Sequence, residues 1–116
     1  MNYANVSFGV LGVEESTSGV VAKRAGNEFL FQMQALANIE VINSYNIKKI
    51  IKTCPHSFNI LKNEYYDLGG NYEVNHHTEF ILDLIDSKKI TISQNSIEDV
   101  MTYHDPCYLG RGNNIY

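Results

Sequence analysis

Short apolar runs alternate along this chain with longer stretches in which apolar residues recur every three or four positions. Val6-Ser7-Phe8-Gly9-Val10-Leu11 is brief, apolar and bounded by Gly12, which predicts a buried strand. Glu14 to Gly19 is a polar connection. From Val21 to Tyr45 the spacing predicts one long helix with the apolar stripe Gly26, Phe29, Leu30, Met33, Leu36, Ala37 and Val41. Such a stripe reads as a core-packing face rather than a cofactor box. Asn46 closes the helix, and Lys48 to Thr53 predicts a second strand. Pro55 suits the first turn of a helix, where its missing N–H costs nothing. That helix carries Phe58, Leu61 and Tyr65 and stops at Gly69-Gly70. Tyr72-Glu73-Val74 predicts a third strand, and His77, Phe80, Ile81, Leu84 and Ile85 mark the next helix. Lys89 to Ile92 is a brief extended piece, Asp99 to Tyr103 a fourth strand, and the turn-rich tail from Gly110 to Asn114 is expected to fray.

Strands alternating with helices predict an α/β fold. The expected architecture is a parallel sheet of about four strands with helices on both faces, joined by right-handed crossovers. At 116 residues the chain is a single domain, 1–116, with no internal repeat or linker. A net charge of −4 argues against nucleic acid or an anionic membrane as partner, because both reward concentrated positive charge. Lys48, Lys49 and Lys52 read as the solvated edge of a strand. No apolar run approaches the roughly 20 residues that span a bilayer, so direct membrane insertion is not expected. Nor does the N-terminus read as a secretory signal. A cytoplasmic protein with reduced thiols is therefore expected, although its two cysteines suffice for one disulfide.

The two cysteines and the two prolines share two turns, Thr53-Cys54-Pro55-His56 and His104-Asp105-Pro106-Cys107, each after a predicted strand. Cys54 is placed where a strand meets a helix N-terminus, so unpaired N–H groups and the helix dipole favour its thiolate. A thiolate is both a metal ligand and a nucleophile. The competing reading is a small buried apolar residue. Cys107 is expected at the same end of the sheet, with a half-buried structural thiol as its competing reading. Cys54, His56, His104 and Cys107 are chemically able to hold zinc, but neither Cys-x-His nor His-x-x-Cys is a strong zinc spacing. His77 shares an apolar stripe and reads as a satisfied core histidine. Glu14-Glu15 reads as solvated surface, and Gly110-Arg111-Gly112 is too short for a phosphate loop.

Longer motifs carry a resemblance. Leu11-Gly12-Val13-Glu14-Glu15-Ser16, Arg24-Ala25-Gly26-Asn27-Glu28, Cys54-Pro55-His56, Phe58 to Tyr65, Gly69 to Val74 and Tyr103 to Arg111 resemble the cysteine-rich (CCG) domain iron–sulfur proteins. These are related to the cysteine-rich subunit of heterodisulfide reductase and to the iron–sulfur subunit of glycolate oxidase. The resemblance implies an electron-transfer component of an oxidoreductase with a 4Fe-4S-type cluster. Its partners would be other subunits or domains of a flavin- or quinone-linked reductase. It places the cysteine before Gly at Thr17, the first cysteine of a Cys-x-x-Cys pair at Cys54, and the second at Ser57. The lone cysteine opening a second motif falls at Cys107. Cys54 and Cys107 are thus the implied residual metal ligands, and Thr17 and Ser57 stand at former ligand positions. His56 and His104 are implied as hydrogen-bond donors to sulfur. The remaining family cysteines would fall before Met1 and beyond Tyr116, which implies the central portion of a longer family member.

Hydroxyls are weaker acids and harder ligands than thiols. The resemblance therefore implies a degenerate copy in which this chain alone binds no cluster and is inactive. Two alternatives stand beside it: a non-catalytic remnant acting as an interaction module, and a one-thiol redox protein working through Cys54.

Overall fold

The computed structural model describes residues 2–93 and 98–116. In chain order its elements are α1 (Val20–Arg24), α2 (Glu28–Ser44), β1 (Lys49–Lys52), α3 (Pro55–Asn59), β2 (Glu73–His76), α4 (His77–Asp86) and α5 (Gly110–Asn113). α3 runs on into a π-helical turn, Ile60–Glu64, and a 3-10 turn, Tyr66–Leu68. β1 and β2 pair in parallel, with Lys49 opposite Glu73 and Lys52 opposite His76. The crossover between them is α3 and its continuation, ended by Gly69 in the left-handed conformation. The α/β class holds, but among the described residues the sheet has two strands, not four.

Three predicted extended pieces form no strand. Val6–Leu11 is irregular and Val10 is 84% exposed. Asp99–Tyr103 is also irregular, and Val100 and Met101 are exposed. Lys89–Ile92 joins no strand, and the Lys89 and Ile90 N–H groups bond instead to the Leu84 carbonyl at 2.9 and 3.3 Å. A strand is stable only when its backbone N–H and C=O groups find a partner ladder, and apolar composition alone does not supply one.

The predicted long helix is broken. Gly26 adopts φ +81°, which ends α1, and the Asn27 side chain accepts a hydrogen bond from the Leu30 N–H at 3.1 Å, which starts α2. A left-handed glycine followed by an Asn cap is a stop-and-start signal, and it outweighs the continuous apolar spacing. The buried face of α2 is also not the predicted one. Phe31, Ala35, Ile39 and Ile42 face inward, whereas Phe29, Leu30, Met33 and Leu36 are exposed. Ala22, Phe31, Ala35 and Ile39 from the first two helices meet Phe58, Ile60, Leu61 and Tyr65 from the crossover, with Val74 and Leu109 completing the core. The turn-rich tail contains a short helix, α5, which follows the buried Leu109. No helix among the described residues is long and apolar enough to cross a membrane.

Candidate functional site

Cys54 caps α3 with extended backbone (φ −84°, ψ 120°), and its carbonyl accepts the Phe58 N–H at 2.9 Å. Its thiol is exposed. The Ser57 backbone N–H, followed by the His56 N–H, the Ser57 hydroxyl and the Lys52 charge, pulls the thiol below its ordinary pKa against the opposing effect of partial burial. His56 Nδ1 stands 4.0 Å from the sulfur.

Ser57 faces the loop that precedes α1. Its Oγ lies 3.3 Å from Ser18 Oγ. Thr17 Oγ1 accepts the Gly19 N–H at 3.4 Å, and the Thr17 carbonyl accepts from the Asn38 amide at 2.8 Å. The Tyr65 hydroxyl donates to the Ser18 carbonyl at 2.9 Å and fixes this loop over the crossover. Thr17 and Ser57 thereby line one cleft of about 520 Å³, together with Ser18, Thr53 and Lys52. The ion pair between Lys52 and Glu15, at 2.6 Å, ties the loop to the end of β1.

Cys107 begins the turn before α5, and its thiol is exposed. No strand delivers it. The turn is held by its neighbours instead. The ring of Tyr108 meets that of His56 edge-on, with 4.8 Å between centroids, and the Arg24 guanidinium lies 5.5 Å from the centre of the Tyr108 ring. Asn59, on α3, accepts at Oδ1 from the Asn63 amide at 2.9 Å and the Asn113 amide at 3.0 Å. Asn113 also donates to the Tyr108 carbonyl at 2.7 Å. The residue after Cys107 thus packs on the residue two places after Cys54. His104 is exposed.

Sequence comparison places this arrangement among known proteins. Over all of its length the chain is 49% identical to an EtfAB:quinone oxidoreductase of Syntrophomonas wolfei, covering 16% of that protein. It is 35% identical over 96% of its length to one subunit of a dihydromethanophenazine:CoB–CoM heterodisulfide reductase of Methanosarcina mazei, covering 28% of it. It is 30% identical over 80% of its length to an iron–sulfur protein of Methanococcus maripaludis, covering 17%. The chain belongs to the iron–sulfur proteins related to heterodisulfide reductase. It spans about a sixth of the length of the first of these relatives. No family model and no solved structure matches it.

Heterodisulfide reductase-related proteins imply an iron–sulfur cluster, and such clusters are held by several thiolates. This chain has two cysteines. The hydroxyl of Ser57 is already engaged with Ser18, and that of Thr17 with Gly19. Among the described residues, no three of His, Cys, Asp or Glu gather closely enough to hold a metal ion, which also argues against the zinc reading. The residues present do not fit a cluster closed by this chain alone.

Sequence reasoning missed the residues that position the two thiol turns. His76, rather than His77, is the satisfied core histidine: it is 2% exposed, with Nε2 3.0 Å from the Thr53 carbonyl and Nδ1 2.8 Å from Thr78 Oγ1. His77 keeps a buried Nδ1 without a partner. The step from β2 directly into α4 places His76 beside the residue preceding Cys54. No local motif announces that contact.

Proposed function

We propose that this chain is a CCG-type domain of a heterodisulfide reductase-like or glycolate oxidase-like electron-transfer oxidoreductase in which the cluster site is degenerate. The observation that carries the reading is the shared cleft of Thr17 and Ser57 beside Cys54, where two hydroxyls stand at positions the family resemblance gives to thiols. Cys54 and Cys107 are the residual ligands in this reading. They are too few to close a 4Fe-4S site, so the chain by itself acts as an interaction module for a flavin- or quinone-linked reductase.

Anaerobic reconstitution of the full chain with iron and sulfide tests it. The expected result is no stable visible absorption band and less than one iron per chain. The Thr17→Cys/Ser57→Cys double variant, carrying four thiols, is expected to retain iron through desalting. A stable band with about four irons per wild-type chain would overturn the proposal.

A second reading, one-thiol redox chemistry at Cys54, is favoured by the hydrogen bonds that stabilise its thiolate. It requires Cys54 to exchange with a small disulfide at a rate that the cluster reading does not call for.

A further inference from the structure

The cleft that holds Thr17 and Ser57 runs along the free edge of β1. Five consecutive residues, Lys49 to Thr53, line it, and consecutive residues share an edge of a strand rather than a face. On its other edge β1 pairs with β2, where the Glu73 N–H donates to the Lys48 carbonyl at 2.8 Å. In a parallel ladder alternate residues turn their backbone groups to the same neighbour. Lys48 and Ile50 therefore serve β2, and Lys49 and Ile51 turn their N–H and C=O groups into the cleft. Among the described residues no strand receives them. An unpaired edge of this kind is a template for a further strand.

The opposite wall of the cleft is the N-terminal arm. Gly9, Val10 and Leu11 line it, yet among the described residues no backbone hydrogen bond joins Val6–Val10 to another segment. Along the arm Val6, Phe8 and Val10 alternate with Ser7 and Gly9, which is the period of a strand. Phe8 is 52% exposed and Val10 84%. The ion pair between Lys52 and Glu15 ties the chain just past the arm to the C-terminal end of β1, so an extended arm runs parallel to β1. The chain between them, with α1 and α2, supplies the long crossover that parallel neighbours need. Two right-handed crossovers stepping in one direction across a sheet lie on the same side of it. α2 does pack against the α3 crossover, with the rings of Phe31 and Tyr65 6.4 Å apart.

We propose that the arm is a strap: Val6–Leu11 closes as a parallel strand on the free edge of β1, and the cleft beside Thr17 and Ser57 opens only when the strap lifts. Closure pairs Lys49 and Ile51 and lays Phe8 and Val10 against Ile42 and Leu61, the apolar lining of the cleft. Whatever enters the cleft has to displace the arm, so its apparent affinity is scaled by the fraction of chains that are open. The inference stands apart from the cluster reading, because it uses only backbone groups and apolar side chains.

Amide hydrogen exchange of the full chain, read residue by residue by NMR, is the test. Along Val6–Leu11 every second N–H should exchange about 10-fold or more slower than in an unstructured chain, and Ile51 should be protected with them. The Gly9→Pro/Val10→Pro variant removes an arm donor in either register. It should speed exchange at Ile51 about 10-fold and leave Ile50, which is held by β2, within about two-fold of wild type. Val10→Asp keeps every N–H but puts a charge on the apolar lining, and it should act in the same direction. Far-UV circular dichroism establishes folding, and Val10→Asp serves alone if the proline variant does not fold. Uniform exchange along the arm at the unstructured rate overturns the inference. So does equal acceleration of Ile50 and Ile51, which marks a general loss of stability, or an Ile51 rate indifferent to the variants. Protection that grows with chain concentration overturns it as well, because it assigns the arm to a second copy.

Discussion

Removing the Tyr65 hydroxyl probes the joint between the core and the candidate site with little change of shape. Tyr65 is fully buried, and its hydroxyl donates to the Ser18 carbonyl at 2.9 Å while accepting from the Asn38 amide at 3.0 Å. Tyr65→Phe keeps the ring, which packs against Phe31 at 6.4 Å between centroids, and deletes both bonds. The Asn38 amide keeps its bond to the Thr17 carbonyl, so the main loss is a part-buried Ser18 carbonyl left without its donor. Leaving such a group unpaired costs about 1–2 kcal/mol. With a urea slope of about 1.5 kcal/mol per M, the unfolding midpoint should fall by roughly 0.7–1.3 M at unchanged slope. Tyr66→Phe is the control, because that residue is exposed and its hydroxyl should contribute little. The assay is urea unfolding followed by far-UV circular dichroism. A Tyr65→Phe midpoint within about 0.2 M of wild type would refute the claim that this hydroxyl fixes the Thr17-Ser18 loop.

Burial holds the His76 imidazole below its ordinary pKa, against the Thr53 carbonyl, which favours the charged form. Between that lowered value and about 6.5 the unfolded chain binds more protons than the folded one, so the contribution of His76 is complete above about pH 6.5 and is lost as pH falls through the folded value. The drop in urea midpoint from pH 7.5 to pH 5 should therefore be smaller in His76→Gln than in wild type; equal drops would show that His76 does not couple folding to pH. At Cys54 the lowered pKa means that thiolate persists to lower pH than in a free thiol. In a Cys107→Ser background, iodoacetamide should alkylate Cys54 with a pH midpoint below that of free cysteine, and Ser57→Ala should move the midpoint upward. A midpoint equal to that of free cysteine would remove both the thiolate and the one-thiol redox reading.

The sequence pattern located the elements that carry their own local signals. Pro55 marked the start of α3, Gly69 the end of its continuation, and the short run Lys48 to Thr53 marked β1, each within a residue or two of its observed place. What failed was whatever depends on a partner elsewhere. Val6–Leu11 and Asp99–Tyr103 have strand composition but join no described ladder. Along α2 both faces are apolar, and periodicity favoured the stripe with the larger side chains. The inward face was instead set by what stands opposite Phe31, Ala35 and Ile39, namely the crossover around Tyr65. The Gly26-Asn27 break was legible in principle, since left-handed glycine and an Asn cap are local signals, but the long apolar period masked it.

The site shows the same division between local signals and distant contacts. Cys54 was legible because the strand-to-helix junction is a local event. The contacts that set the two thiol turns beside each other were not, because they join distant residues. His76 meets the Thr53 carbonyl, Asn59 meets Asn113, and His56 meets Tyr108. None of these three contacts uses a sulfur atom. The buried part of the frame, His76 at 2% and Asn59 at 8% exposure, costs free energy if either loses its partner, whereas the exposed thiols of Cys54 and Cys107 have no comparable packing to lose. Substitution at a hydroxyl or thiol position on the rim is therefore inexpensive for folding, and substitution in the frame is not. Exchanging Thr17 or Ser57 for cysteine should leave the urea midpoint close to wild type, whereas removing the side chain of Asn59 or His76 should lower it.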